Sequence, residues 1–192
     1  MKRLAGHPDK SLHNLYNEMA NYCKEHDIDK DFYGSGEFLS QFESDVAKEV
    51  GMEAALFLPS GVMAQLIAIK IWADELKKDK FACHESCHLI RHEEDAYKHL
   101  LKMDAEQFGQ KNVVPLKADI LESIDHCSSV IYELPMRHLG GDLPSWNNWC
   151  EIKKEIKKRG VKLHIDGARI FETESYYKKE VSQIVEGADS LF

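Results

Sequence analysis

Four parts of the chain carry apolar residues three or four positions apart, which is the spacing of an amphipathic helix. The pattern predicts helices over residues 11–26, over 37–50 and from 62 onwards, and a fourth between an N-cap at Ser145 and a stop at Gly160. The apolar positions are Leu12, Leu15, Tyr16 and Met19; Phe38, Phe42, Val46 and Val50; Val62, Leu66, Ile69, Ala73 and Leu76; and Trp146, Trp149, Ile152 and Ile156.

Short apolar runs separate these helices, and each has the length of a buried strand. The first run is followed by Pro59, which ends it before the third helix begins. Such runs alternating with helices are typical of βαβ units, so the sequence predicts an α/β domain. The predicted strands cover residues 54–58, 80–84, 112–116, 129–134, 161–166 and 188–192.

The composition is that of a globular protein of 192 residues, 43% hydrophobic and 30% charged. A chain of this length can bury one sizeable core. No apolar run approaches the roughly 20 residues that cross a bilayer. Residues 1–7 are too polar for a secretory signal. A cytoplasmic location without membrane contact is therefore expected.

The formal net charge is −8, with acidic and basic residues interspersed. This disfavours nucleic acid as a partner, because phosphate binding needs a concentrated basic face. The lysine-rich stretch 153–159 falls on the helix after Ser145, where a solvated helix surface explains it. The cysteine count is 5, an odd number that predicts reduced thiols rather than a disulfide framework.

The segment 161–169 combines a strand with charged residues at its end. Strand alternation places Asp166 on the face opposite Leu163, at the carboxyl end, where parallel sheets bind their ligands. Gly167 permits a sharp turn, after which Arg169 can return to the same crevice. A structural ion pair between Asp166 and Arg169 explains these residues equally well.

The turn Ser60-Gly61-Val62 lies between a predicted strand and the start of a helix. Free backbone N–H groups and the positive end of the helix dipole make such a turn suitable for binding phosphate. A simple Ser-Gly cap is the more common use of this pattern.

Cys83 and Cys87, four residues apart and followed by His88, invite a zinc interpretation. No second Cys/His cluster lies near them in the sequence to complete four ligands, so no metal is expected. The alternative is that His88 lies flat on an aromatic ring just beyond a strand end, a role that the pattern alone does not establish.

The segment 132–144, in which an apolar strand leads into a loop, carries an acid, two basic residues and paired glycines. Its ionisable members include Glu133, Arg137 and His138. Loops of this kind carry function on α/β scaffolds. A plain strand-to-helix connection is the simpler interpretation.

Taken in order, these segments resemble the family of low-specificity threonine aldolases and aromatic amino acid beta-eliminating lyases. The resemblance runs from about residue 31 to residue 192 and depends on the order and spacing of the segments, of which the last is the most specific. The matching segments are Phe32-Tyr33-Gly34, Leu58-Pro59-Ser60-Gly61-Val62-Met63-Ala64, Glu85-Ser86-Cys87-His88, 133–141 and Leu163-His164-Ile165-Asp166-Gly167-Ala168-Arg169.

The resemblance implies the fold-type-I, aspartate aminotransferase-like architecture, with a three-layer large domain around a mostly parallel sheet and a smaller C-terminal domain. Residues 1–30 would form a helical N-terminal arm and 31–192 a large domain that is incomplete at its C-terminus. The implied activity is cleavage of β-hydroxy-α-amino acids such as threonine into glycine and an aldehyde. The implied assembly is a homo-oligomer, either a dimer or a tetramer.

The resemblance also implies roles for individual residues around the cofactor pyridoxal 5'-phosphate (PLP). The turn Ser60-Gly61-Val62 would hold the phosphate through the N–H groups of its last two residues. His88 would stack on the pyridine ring, Asp166 would pair with the ring nitrogen, and Arg169 would lie near the ring hydroxyl and the substrate carboxylate. These last three are the expected catalytic residues.

Substrate contacts are expected from Glu133, Arg137 and His138 of the variable loop. Tyr33 is expected to belong to the same site or to that of a neighbouring subunit. All of these roles are carried over from the family, position by position.

The sequence departs from the family in four places, one of which is that the N-terminal Ser-Asp-Thr segment of the family is not recognisable in residues 1–30. Val62 stands where threonine is usual, and Glu133-Leu134-Pro135 replaces the commoner Glu-Asn-Thr, which suggests a divergent branch. In the family, the strand that matches 188–192 runs into the lysine that binds the cofactor covalently. Lys178 and Lys179 precede this strand and are poor substitutes. A chain truncated before that lysine and inactive alone is therefore expected.

Two alternatives remain open at this point. One is a catalytically dead fragment with an oligomerisation or regulatory role. The other is a PLP enzyme of different reaction or substrate range, such as a β-eliminating lyase or a transaminase.

Overall fold

A computed structural model describes residues 10–122 and 124–192. Residues 1–9 of the predicted N-terminal arm lie outside the described residues. Short 3-10 turns at Arg137–Leu139 and Ile170–Glu172 supplement the regular elements. The helices are α1 (Leu12–Glu25), α2 (Glu37–Val50), α3 (Gly61–Leu76), α4 (His88–Arg91), α5 (Ala96–Leu101), α6 (Lys117–Leu121), α7 (Trp146–Lys158), α8 (Thr173–Tyr177) and α9 (Val181–Val185), and the strands are β1 (Lys80–His84), β2 (Asp104–Phe108), β3 (Ser129–Glu133), β4 (Lys162–Asp166) and β5 (Ser190–Leu191).

The strands form one sheet in the order β2-β1-β3-β4-β5, and every pairing is parallel. Parallel neighbours need crossover connections, and the intervening helices supply them. The pairing of β3 with β4 runs from Ser129 opposite Lys162 to Glu133 opposite Asp166. Two acidic residues therefore lie side by side at the carboxyl edge of the sheet.

Helices cover both faces of the sheet and make three layers. On one face Ala82, Val130 and Leu163 belong to a core cluster that includes the buried side of α7. On the other face Phe81 and Ile131 pack with residues of α3 and α5. Neighbouring strand residues point to opposite faces, which is why both clusters draw on the same strands. The predicted three-layer α/β fold with a parallel sheet is confirmed.

Helix α7 forms where the sequence predicts it. Ser145 is its N-cap, and the Ser145 hydroxyl accepts a hydrogen bond from the Asn148 backbone N–H at 3.3 Å. Trp149 is fully buried, and its indole N–H donates to the Ile184 carbonyl oxygen at 2.8 Å. Gly160 follows the helix with a φ of +68°, a left-handed conformation that ends the helix cheaply only for glycine.

Two predicted strands are wrong. Residues 54–58 form no strand and are largely exposed, with Leu56 at 72%. Residues 112–116 are a turn and a loop, in which Asn112 has a φ of +59° and Pro115 has no N–H to donate. The place beside β1 is taken instead by β2, whose sequence Asp104–Phe108 is polar enough to have escaped the strand pattern.

We call residues 10–60 the front segment. Its two predicted helices are confirmed as α1 and α2. Helix α1 buries none of its residues, whereas α2 buries Ala47 and Val50 near its end. In the described part of the chain, no helix has the length and apolar character needed to span a membrane.

Candidate functional site

A cavity of about 270 Å³ lies at the carboxyl edge of the sheet, where the start of α3 faces the ends of β3 and β4. Topology explains its position, because parallel sheets leave a crevice beyond the carboxyl ends of their strands. Most of the predicted site residues line it, although they come from four separate parts of the sequence. These residues are Ser60, Gly61, Val62, His88, Glu133, Arg137, Asp166 and Arg169.

The start of α3 brings backbone N–H groups to the cavity. The Ser60 hydroxyl caps the helix by accepting from the Met63 N–H at 3.4 Å. The first N–H groups of a helix have no intrahelical acceptor, so those of Gly61 and Val62 are available to an anion. The Phe192 ring packs against Gly61 so closely that a methyl group at position 61 would overlap it.

Asp166 supplies a buried carboxylate at the end of β4, with only 4% of its surface exposed. One oxygen, Oδ2, accepts from the Gln65 side-chain amide at 3.1 Å, and Oδ1 accepts from the Ala168 N–H at 3.3 Å. Burial raises the pKa of the Asp166 carboxyl, and these two donors oppose the rise by favouring the ionised form. Gly167 allows the turn, because a side chain there would collide with Leu191.

His88 presents an imidazole ring at the other side of the cavity. It lies at the start of α4, and its Nδ1 is 2.8 Å from Oε1 of Glu93. The Glu93 side chain is 1% exposed and that of His88 is 37% exposed. The buried carboxylate therefore fixes the ring orientation while part of the ring remains accessible.

Glu133, at the end of β3, is the neighbour of Asp166 across the strand pair. Its Oε1 accepts from the Arg137 N–H at 3.1 Å. Burial raises the pKa of the Glu133 carboxyl, the Arg137 N–H opposes this, and the nearby Asp166 charge adds to the rise. Two carboxylates at one edge therefore sit in different environments, and Asp166 has more direct donors.

Three buried oxygens around the cavity have no hydrogen-bond partner among the described residues. They are Oε1 of Gln65, Oε2 of Glu93 and Oε2 of Glu133. Buried acceptors are nearly always paired in folded proteins. Their concentration at one cavity indicates a site that receives hydrogen-bond donors from a ligand or from water.

Two predicted substrate contacts do not line the cavity. Tyr33 is 93% exposed on the front segment. His138 lies outside the lining and pairs with His92, with 2.8 Å between their Nε2 atoms and the rings stacked. Burial lowers the pKa of His138, and the neighbouring His92 charge adds to this effect.

Four further lining residues were not predicted: Gln65, Glu93, Ala168 and Phe192. Gln65 was detectable, because it stands four residues after Gly61 and so lies on the same face of α3, one turn along. Its polarity within an otherwise apolar stripe was the signal. Glu93 carried no such signal, since it reaches His88 only through the turn that ends α4.

Cys83 and Cys87, the basis of the zinc alternative, are free thiols buried in the core. In residues 10–122 and 124–192 no three His, Cys, Asp or Glu side chains are grouped to hold a metal ion. The donor set around the cavity fits a different ligand. Backbone N–H groups suit a phosphate, the buried Asp166 suits a protonated ring nitrogen, and the His88 ring suits a planar partner.

The sequence model of the Beta-eliminating lyase family matches residues 12–192. Low-specificity L-threonine aldolase 1 of Arabidopsis thaliana is 29% identical over 175 residues, which are 86% of this chain and 49% of the relative. Low specificity L-threonine aldolase of Escherichia coli (strain K12) is 27% identical over 177 residues, 85% of this chain and 50% of the relative. The chain thus spans about half the length of these curated relatives.

Solved structures of threonine aldolases also match this chain. One from Listeria monocytogenes, which carries a provisional L-allo-threonine aldolase name, superposes with a TM-score of 0.91 at 34% identity. The match covers 98% of this chain and 52% of that one. A threonine aldolase from Leishmania major, at 15% identity and a TM-score of 0.71, shares the fold.

Proposed function

Because the chain belongs to the beta-eliminating lyase family, we propose that it forms the cofactor-binding part of a PLP-dependent carbon–carbon lyase of the threonine aldolase type. The substrates would be small β-hydroxy-α-amino acids. One observation carries this proposal: the Asp166 carboxylate, the His88 ring and the amide end of α3 meet at a single cavity.

The residues of the cavity divide the binding work among them. The N–H groups of Gly61 and Val62, backed by the α3 dipole, hold the phosphate. Asp166 holds the ring nitrogen in its protonated form, and His88 covers one face of the ring. When bound, PLP supplies an electron sink for the carbon that loses its bond.

The charged residues around this core orient the substrate. Arg169 lines the cavity on the turn after β4 and offers a planar fork of donors that matches a carboxylate. Glu93 holds the His88 ring in one orientation. Glu133 also lines the cavity, and its unpaired Oε2 can accept a proton or a hydrogen bond from a substrate hydroxyl or ammonium group.

Covalent catalysis by this cofactor needs an amine at the site. In the part of the chain that the structure describes, the cavity lining includes no lysine. We therefore propose that the 192-residue chain binds the cofactor without covalent attachment and shows no steady turnover by itself. A catalytically silent role in a larger assembly is the alternative that this leaves.

Binding of pyridoxamine 5'-phosphate to the chain tests the proposal. This probe has the ring nitrogen and the phosphate but no aldehyde, so surface lysines do not capture it. We expect stoichiometric binding by equilibrium dialysis, weakened about tenfold or more in Asp166→Asn, since a hydrogen bond to a charged group is lost. Asp74→Asn, on the exposed side of α3, is the matched control.

Two results would contradict the proposal. One concerns binding: either the wild-type chain does not bind the probe, or the Asp166→Asn and Asp74→Asn variants bind it equally well. The other concerns turnover: steady aldehyde release from threonine and PLP by the purified chain would show that an amine reaches the site after all.

The front segment supports a further part of the proposal, assembly into a homo-oligomer. Leu12, Tyr16 and Met19 of α1 are 68%, 63% and 54% exposed, although they form one apolar stripe. Exposed apolar stripes of this kind are typical of association surfaces. Light scattering should detect a dimer or tetramer that dissociates when Tyr16 and Met19 are replaced by glutamate; a monodisperse monomer would contradict this.

A further inference from the structure

Gln65 is the one polar member of the buried stripe on α3, together with Leu66, Ile69 and Ala73. Its side chain is buried, with 2% of the residue exposed, so water solvates the amide hardly at all. A buried amide costs stability unless both of its ends are paired. In the described residues only one end is paired, through the 3.1 Å hydrogen bond to Asp166.

The direction of that hydrogen bond follows from chemistry. An ionised carboxylate can only accept, so the amide nitrogen of Gln65 must face Oδ2 of Asp166. The amide oxygen of Gln65 then points elsewhere, and it is the atom without a partner. In this orientation the amide nitrogen donates to Asp166 and the amide oxygen has no hydrogen-bond donor among the described residues.

The surroundings of Asp166 show why a donor matters there. Glu133 is its neighbour across the strand pair and repels its charge. His88 and Arg169 favour its charge from the cavity side. Among the described residues, the Asp166 carboxylate accepts direct hydrogen bonds only from the Gln65 amide and from the Ala168 N–H, the latter at 3.3 Å.

Resting on the proposed function, we propose that Gln65 is a positioning residue: its amide holds the Asp166 carboxylate ionised and aimed at the ring nitrogen of the cofactor. The alternative is that Gln65 merely fills space in the α3 stripe. The two differ in what the loss of the amide does, since a space-filling role depends on the volume of the side chain and a positioning role on its N–H group.

Gln65→Met separates these roles, because methionine keeps the length and unbranched shape but cannot donate. Gln65→Glu keeps the shape as well and puts a second carboxylate against Asp166, so that the pair must share a proton. Urea unfolding of each variant checks that the fold is intact. Both variants are measured as the full 192-residue chain.

The first measurement compares two probes, pyridoxamine 5'-phosphate and its 1-deaza analogue, which has a carbon in place of the ring nitrogen. We expect Gln65→Met to weaken binding of the first about tenfold, as for loss of a charge-assisted hydrogen bond, and to leave the analogue within about twofold. Gln65→Glu should lose more affinity for the first probe. Equal weakening of both probes in Gln65→Met would assign the residue a structural role only.

The second measurement needs no ligand. The pKa of the Asp166 carboxyl is followed by carbon NMR in chains labelled at aspartate and assigned with Asp166→Asn. Removing a donor that favours the ionised form should raise this pKa in Gln65→Met by about one unit, the equivalent of tenfold. An unchanged pKa would overturn the inference whether or not either probe binds, whereas a wild-type chain that binds neither probe would defeat the proposed function alone.

Discussion

Helices α1 and α7 have the same amphipathic pattern in the sequence but differ in burial in the structure. Each carries an apolar stripe and begins at a serine N-cap, Ser11 or Ser145. Helix α7 buries Trp149, Ile152 and Ile156 against the sheet. Helix α1 buries nothing.

The difference shows what an amphipathic pattern can and cannot specify. The stripe decides which side of a helix will be buried if a partner is present, but the partner must come from elsewhere in the structure. For α7 the partner is the face of the sheet that holds Leu163. For α1 the described residues bury no side chain, and Tyr22 meets Phe38 edge-on with 6.3 Å between ring centroids.

The largest effect is expected from a matched pair of leucines. Leu163 is 1% exposed in β4, and Leu15 is 42% exposed in α1. Leu163→Ala should lower the free energy of unfolding by about 2–5 kcal/mol, since it leaves a cavity in the core. Leu15→Ala should change it by no more than about 0.5 kcal/mol. Urea unfolding followed by circular dichroism measures both at a dilution at which the chain is monomeric, and similar losses there would mean that α1 is packed against the rest of its own chain.

The second effect is a pH dependence of the free energy of unfolding, caused by a buried histidine in the sheet. His164 is buried on β4, and burial lowers its pKa to about 4, from 6.5 in a solvated histidine. Between these two pKa values, His164 is protonated in the unfolded chain and neutral in the folded chain. The stability that its neutral state contributes is therefore fully present above pH 6.5 and is lost as the pH falls toward 4. From pH 7 to pH 5 the loss should be about 2 kcal/mol.

His164→Gln supplies the control for that measurement, because glutamine does not titrate. Every other ionisable group is shared, so the difference between the two proteins isolates His164. The front segment carries histidines as well, and its His13 and His26 are exposed. If the wild type and His164→Gln lose stability in parallel on acidification, the buried state of His164 is wrong.

The smallest effect concerns the junction of the two regions. Gly51 ends α2 with a φ of +71°, and a Cβ there would lie 2.8 Å from Cβ of Ser182 on α9. Gly160 has a similar φ of +68° with open space around it. Gly51→Ala should cost about 1 kcal/mol more than Gly160→Ala, because both incur backbone strain and only the first also disturbs a contact. Equal losses in urea unfolding would show that α2 does not rest on α9.

The strands show where prediction from sequence succeeded. Residues 80–84, 129–134 and 161–166 were predicted as strands and form β1, β3 and β4, with small shifts at the ends. All three are central in the sheet and buried on both faces, so their continuous apolar sequence reflects their environment. The last predicted strand, 188–192, is confirmed in the shorter form of β5.

The failures have a common physical cause. The apolar run 54–58 has the composition of a strand, but within residues 10–122 and 124–192 no strand pairs with it, and the Phe57 N–H instead donates to Glu43 at 2.7 Å. Strand β2 shows the reverse, since its backbone pairs with β1 although its side chains are mostly polar. Strand pairing is a long-range event, and an edge strand needs little from its own side chains.

The sequence by itself determined the α/β class, the central strands, the four long helices α1, α2, α3 and α7, and the identity of the residues placed at strand ends, because these depend on local periodicity and on turn chemistry. The tertiary structure alone decided which of those residues share a cavity, that Gln65 and Glu93 join them, and that Tyr33 and His138 do not. It also left the stripe of α1 exposed. Convergence and burial depend on contacts between residues far apart in the chain, and local patterns carry no record of those distances.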